Sequence, residues 1–448
     1  MGLGFETAKS QPIAGFLAQD YLVWARKSLN YSGPLSRWRQ NLRTRNPGGD
    51  TFPYIPHSLC QRVPPTVACV QPKTNTPEVG CTMRSLTHHV ALLPPIGDVT
   101  TYWMPAPAPP TAEPTLNVLV VPYLYRIPSA SFLTVEGEAF AVEPRVWLAD
   151  ATAGDIAQFL GELLSAAHAP VHCVVLPELS LPLSVANKVA EMLAASPRLE
   201  IFLAGVRSEE FGEVRNLAAS YRFHEGKLAS ASFQPKHHRW CLDGDQIRRY
   251  DIREQLDTGN GTGEGRRWEG IDVTYRDCYV TLVRAGATMS VLICEDLARY
   301  DPVLTVMNAI GPNLVIALLM DGPQLEYRWS GRYATALSDD PGSSVLTVSS
   351  LGMIARDSSA KGRQVALWKE PQQRAKSLSL GTGEYAILVQ LQCNPIEQQT
   401  LDLRSDNETT TRLTLAKWSG VRHPKPPSWA TAPRRKQGPL QHRKNEAR

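Results

Sequence analysis

Apolar and polar positions change rhythm twice along the chain. Between residues 11 and 45, Ile13, Phe16, Leu17, Tyr21 and Trp24 recur at three-to-four spacing and predict a partly helical segment, followed by a basic, aromatic stretch through Arg37, Trp38, Arg39, Arg43 and Arg45. From Pro47 to Pro114 the periodicity breaks. PYIPHS, VPPT, LLPPIG and PAPAPPTAEP cannot sit inside helices or central strands, because each proline removes a donor and fixes φ, and Pro105 to Pro114 reads as a linker. Beyond it strands and helices alternate. Strands are predicted over Val118 to Leu124, Val171 to Leu176 and Glu200 to Val206, with a pair over Asn216 to Phe223 and Leu228 to Phe233. They resume over Tyr279 to Val283, Met289 to Ile293, Asn313 to Leu319, Ser344 to Ser349, Gln364 to Trp368 and Glu384 to Gln392. Helices are predicted over Ala151 to Ala167, Ser184 to Ala195, Pro302 to Ile310 and Leu325 to Leu337, so the mixture implies an α/β layered domain. The longest apolar run, near Leu314 to Met320, fits a buried strand and falls far short of the ~20 residues that cross a bilayer.

Composition adds two points. The 448 residues are 43% hydrophobic and 20% charged, which excludes a wholly disordered, collagen-like or coiled-coil chain, while the 35 prolines crowd into the irregular stretches. Residues 421–448 carry eight Lys/Arg against one acid and residues 1–115 ten against six, leaving the middle at −7 although the whole chain is +4. The start, MGLGFETAKS, has neither a signal peptide's basic and apolar regions nor a myristoylation motif, so a cytoplasmic protein is expected. The eight cysteines lack a CxxC pair and predict reduced thiols rather than a disulfide framework. His57, Cys60, Cys69, Cys81, His88 and His89 are spaced too irregularly for a zinc site, and Thr258 to Gly265 lacks the ending of a phosphate-binding loop.

Three stretches carry candidate chemistry. VVLPELSLP delivers Glu178 at the carboxyl end of an apolar strand, FQPKHH presents Lys236 where an alternating strand ends, and SVLICEDL runs an apolar strand straight into Cys294. Each alone is an ordinary turn acid, a basic turn or a buried thiol. Together they offer a carboxylate, an ammonium and a thiol at strand ends that one sheet edge can bring into one pocket.

The order Glu, Lys, Cys and the words PELSLP, PKHH and ICEDL resemble the nitrilase superfamily of carbon-nitrogen hydrolases over roughly Thr115 to Cys393. The cysteine word is similar to that of the glutaminase domains of NAD synthetases. The resemblance implies an α-β-β-α four-layer sandwich, here with an irregular Pro-rich N-terminal extension, and a homo-oligomer. It implies Glu178 as base, Lys236 with the backbone N–H of Glu295 as oxyanion donors, Cys294 as nucleophile and a second glutamate downstream of the lysine and before a glycine. YDIREQLDTG fits that pattern and nominates Glu254, with Asp243 and Asp245 as competitors. Trp329, Arg332 and Ala334 resemble the family's helix after the cysteine strand, and Asp339 with Asp340 stands where an acid-Asn pair is expected.

The expected reaction is thiol-dependent hydrolysis of a linear amide, of the glutamine side-chain or carbamoyl type, through a thioester and without cofactor or metal. Glu295 after the cysteine, where nitrile hydrolysers of this superfamily have an aromatic residue, favours an amide. Four segments follow: an N-terminal extension and linker over 1–115, a hydrolase domain over 116–393, its C-terminal extension over 394–420 and a basic tail over 421–448. The alternative is a catalytically silent module of the same fold that binds a protein or nucleic acid through its basic ends.

Overall fold

A computed structural model describes residues 68–70, 90–92, 99–104, 113–135, 139–146, 148, 151–210, 213–256, 266–284, 287–299, 305–359, 362–397 and 409–430. The helix expected within residues 11–45, most of the linker, the zinc candidates other than Cys69, the glycine-rich stretch after Thr258 and everything beyond Ala430 lie outside the described residues.

Two seven-stranded sheets form the body. The first runs edge to edge through Lys227–Pro235, Glu213–His224, Ile201–Glu210, Cys173–Pro182, Thr115–Val120, Glu384–Glu397 and Thr409–Arg422. The second runs through Lys376–Ser379, Gln364–Lys369, Ser344–Ser349, Leu314–Leu319, Thr288–Ile293, Asp277–Leu282 and Thr100–Met104. Parallel pairing joins the three central strands of each sheet. Cys173–Pro182, Leu314–Leu319 and Ser344–Ser349 are buried at every position, as expected of parallel strands covered on both faces.

The sheets pack face to face, with Cys173–Pro182 against Leu314–Leu319 and Ser344–Ser349, and Glu213–His224 against Thr288–Ile293. Polar side chains pin the stack from within: Gln234 Nε2 donates to the Val291 carbonyl at 2.6 Å while its Oε1 accepts the Tyr279 N–H at 3.0 Å. Helices Ala153–Ala166 and Leu183–Leu193 cover the outer face of the first sheet, and Trp329–Asp339 covers the second, completing an α-β-β-α sandwich. The Ala153–Ala166 helix starts where its sequence says it should, because Thr152 and Asp155 form a capping box. Its buried face carries Ile156, Phe159, Leu160 and Leu163, each contributing roughly 1.5–3 kcal/mol on burial.

The fold overruns the expected boundaries at both ends. Thr100–Met104, assigned to the extension, pairs with Asp277–Leu282 as an edge strand. At the other end, Thr409–Arg422 pairs with Glu384–Glu397 along its whole length, and residues 421–430 are part of the body rather than of a tail. His423 stacks on Phe159 with ring centroids 4.6 Å apart, and Trp429 meets Tyr123 edge to face at 5.8 Å. No helix among the described residues is long and apolar enough to cross a membrane.

Candidate active site

Glu178 reaches the site through a break in the ladder. Leu176 pairs with Ala204 and Leu181 with Val206, so the four residues Pro177 to Ser180 stand opposite Gly205 alone. The bulge throws Glu178 out of the sheet and places Leu179 at φ 51°. Gly205 makes this possible: a Cβ there would lie 2.4 Å from both Glu178 Cα and the Pro177 carbonyl oxygen. Ser180 Oγ braces the turn by donating to the carbonyls of Pro177, at 2.7 Å, and Tyr123, at 3.2 Å.

Lys236 follows directly on the Lys227–Pro235 strand, and its backbone N–H donates to the Asn216 carbonyl at 2.8 Å. Its ammonium lies between two carboxylates, donating to Glu178 Oε1 at 2.8 Å and to Glu269 Oε2 at 2.6 Å. Cys294 ends the apolar Thr288–Ile293 strand and opens a 3-10 turn at φ 45°, a conformation that costs a non-glycine residue of order 1–3 kcal/mol. Glu178, Lys236, Glu269, Asn216 and Cys294 are all at most 4% exposed.

The structure therefore brings Glu178, Lys236 and Cys294 together and leaves Glu254 out. Glu254 lies exposed on the short helix Arg253–Leu256, Asp243 caps the helix Gly244–Arg249, and Asp245 pairs with Arg248 at its surface. The second acid beside the lysine is Glu269. Its carboxylate accepts the Trp240 N–H at 3.0 Å while its own N–H donates to the Trp240 carbonyl at 2.8 Å, so both its backbone and its side chain are held by one residue. Glu269 stands immediately before Gly270 and so also fits an acid downstream of the lysine and before a glycine, but Glu254 in YDIREQLDTG meets that pattern first. Three more contributors gave no such signal: Asn216, whose amide touches both glutamates; Met320, whose backbone N–H bonds the Cys294 thiol; and Asp296, which accepts from the PKHH segment. Of the further resemblance, Trp329 Nε1 donates to Asp321 Oδ2 at 2.8 Å, Ala334 is buried and Arg332 is exposed.

Electrostatics follow from burial. Desolvation raises the Cys294 thiol well above its ordinary range, as does the Glu178 charge, and Lys236 and the Met320 N–H pull the other way without prevailing. Burial also raises the Glu178 carboxyl, against the opposing pull of Lys236, whereas the two carboxylates keep Lys236 charged despite its own burial. Glu178 Oε1 is occupied by Lys236 and Asn216, while the buried Oε2 accepts no hydrogen bond among the described residues. A thiol of raised pKa facing a carboxylate of raised pKa permits proton transfer without a change in the net charge of the pocket.

Fold and site together define an α-β-β-α sandwich with a buried Glu–Lys–Cys set. Its structural neighbours are nitrilase-superfamily and carbon-nitrogen hydrolase proteins. Among them is Nit3 of Saccharomyces cerevisiae, a member of branch 10 of the nitrilase superfamily, at 14% identity, over 62% of this chain and 91% of that one, with a TM-score of 0.39. A glutamine-dependent NAD(+) synthetase from Cytophaga hutchinsonii is similar at 12% identity over 62% of this chain, which spans only 42% of the synthetase, with a TM-score of 0.35. XC1258 of Xanthomonas campestris, a CN-hydrolase superfamily protein with an arsenic adduct in its active site, is similar at 13% identity over 60% and 91% of the two chains, with a TM-score of 0.31. No family model matches the sequence, and no curated protein matches it.

Proposed function

We propose that the protein is a thiol-dependent carbon-nitrogen hydrolase acting on a small linear amide of the glutamine side-chain or carbamoyl type. The observation that carries this reading is the unpartnered, buried Oε2 of Glu178, on a carboxylate whose other oxygen is fixed by Lys236, in the field of the Cys294 thiol.

In the reaction, Glu178 takes the thiol proton as Cys294 Sγ attacks the carbonyl carbon. The developing oxyanion is met by the Lys236 ammonium and by the N–H of Glu295, donors of a kind worth roughly 3–4 kcal/mol each in the transition state. Collapse breaks the C–N bond, and the proton held on Glu178 leaves with ammonia or the amine. Water then attacks the thioester, giving a proton back to Glu178. The acid departs, and the proton returns to the sulfur. Glu269 holds Lys236 in place through both steps.

The test is release of ammonia from glutamine and a panel of small primary amides and ureido compounds, by wild type and Cys294→Ala, with mass-spectrometric mapping of iodoacetamide adducts. Ammonia release by wild type alone, with the adduct on Cys294, supports the reading. Equal release by both proteins, or a Cys294 that takes no adduct, sinks it and leaves the fold as a binding module.

A further inference from the structure

The two glutamates flanking Lys236 are also joined by one neutral side chain. Asn216 Nδ2 donates to Glu178 Oε1 at 2.8 Å and to Glu269 Oε1 at 2.9 Å. One amide nitrogen thus spends both of its protons on two carboxylates, each of which also binds the same ammonium. Asn216 is buried, sits on the Glu213–His224 strand, and receives the Lys236 backbone N–H on its own carbonyl.

We infer that Asn216 is a positioning residue for the general base: by holding Glu178 Oε1 together with Lys236, it leaves Oε2 as the oxygen that receives the Cys294 proton. The inference rests on the hydrolase reading above, since it concerns how that base is aimed.

The chemistry of the position is restrictive. Two carboxylates this near to each other repel, and one lysine cannot satisfy four oxygens. A second donor is required, and it must be neutral if the pocket is to keep its charge, which excludes lysine or arginine. An amide nitrogen is the smallest side-chain group that offers two protons without a charge. A hydroxyl serves only one carboxylate, and an aspartate adds a third negative charge to the pocket. If Asn216 is lost, Glu178 is free to turn either oxygen to Lys236, and its charged form loses a donor. The base then becomes both less well aimed and harder to deprotonate.

The experiment measures the rate of iodoacetamide alkylation of Cys294 against pH, for wild type, Asn216→Leu and Asn216→Ser, with folding of each checked by thermal melting. This readout needs no substrate. We expect Asn216→Leu to alkylate about tenfold more slowly near neutral pH, the scale of a lost hydrogen bond to a buried charge, with the acid limb of its profile moved to higher pH. Asn216→Ser should fall between it and wild type, and provides the same reading if the leucine variant does not fold. A uniform loss of rate with an unmoved profile would mean a purely structural role and overturn the inference, as would a folded variant with the wild-type rate. A wild-type Cys294 that reacts no faster than Cys173, a thiol buried in the first sheet, removes the hydrolase reading itself and this inference with it.

Discussion

The carboxylate of Asp296, two residues past Cys294, receives the backbone N–H of His237, one residue past Lys236, at 3.1 Å on each of its oxygens. His238 Nδ1 adds a third contact to the same carboxylate at 3.0 Å. The turn that carries Cys294 and the turn that carries Lys236 are therefore tied by a side chain belonging to one motif and a backbone belonging to the other. The acid in the fourth position of ICEDL and the two histidines that close PKHH thus meet in one set of contacts.

Asp296→Ala should strand the buried His237 N–H and destabilise the fold by about 1–3 kcal/mol, with a larger fractional loss of Cys294 alkylation than that stability change explains. Asp296→Asn keeps one acceptor oxygen and should fall between wild type and alanine in both measurements. Alkylation that tracks the folded fraction alone in both variants would show that the tie holds the fold but not the site.

Which acid steadies Lys236 is open to direct comparison. Glu269→Gln removes a buried charge from a pair with the ammonium, a class of change that costs about 3–5 kcal/mol, and should lower melting temperature and alkylation rate together. Glu254→Gln changes an exposed side chain and should leave both within error of wild type. A Glu254 variant as damaged as the Glu269 variant would reverse the assignment.

These two glutamates mark the limit of what the sequence makes legible. Cys294 and Lys236 announce themselves because a strand ends just before each, apolar in the first case and alternating in the second, and Glu178 because an apolar run leads up to it, although it lies in a bulge within Cys173–Pro182 and not at that strand's end. Glu269 sits on a strand of only three residues, Arg267–Glu269, and follows the earlier match to the same pattern at Glu254. Asn216 lies inside a strand that alternation identifies correctly, but alternation says nothing of an amide that faces two acids across the fold. The last strand, Thr409–Arg422, escapes for another reason: it is an edge with few apolar positions, held by its backbone ladder, and the register shift at Gln390/Leu391 breaks the alternation of its partner.

Gly205 tests the bulge. Gly205→Ala forces a methyl into backbone atoms of Pro177 and Glu178, which cannot yield as a flexible side chain would. We expect a loss of about 1–3 kcal/mol in stability, typical of overpacking, and a drop in Cys294 alkylation as Glu178 is displaced. An alanine variant with the wild-type melting temperature and reactivity would show that the bulge can shift freely.

His172 predicts a pH dependence. Its Nδ1 accepts the Asn117 N–H at 3.1 Å, which only a neutral ring can do, and burial first, then the Arg284 charge, push its pKa down to about 4. Since the unfolded ring titrates near 6.5, the unfolded chain binds a proton that the folded chain refuses. Stability from this group is complete above about pH 6.5 and is lost as pH falls toward about 4, by at most about 3 kcal/mol. Denaturant melts of wild type and His172→Gln at pH 7.5, 6 and 4.5 should diverge at the acid end, the glutamine variant losing less. Parallel curves would mean that the ring titrates alike in the folded and the unfolded chain.

The last prediction separates the fold from the basic end of the chain. Val421, His423 and Ala430 are buried, and Trp429 packs on Tyr123, whose carbonyl receives Ser180 Oγ from the Glu178 bulge. Deleting residues 421–448 should therefore remove core contacts and disturb the Glu178 bulge, giving a chain that melts earlier and alkylates slowly. Deleting only 431–448 removes Arg434, Arg435, Lys436, Arg443, Lys444 and Arg448 while leaving every described residue in place, and should preserve both melting temperature and alkylation. If those six cations meet a polyanion, the shorter deletion alone weakens oligonucleotide binding, and the log-log salt slope falls by roughly 0.9 for each lost phosphate contact. Titrations of a labelled oligonucleotide at two salt concentrations, against full-length and 431-truncated protein, read that slope. Identical affinities and slopes would remove nucleic acid as the partner of this end.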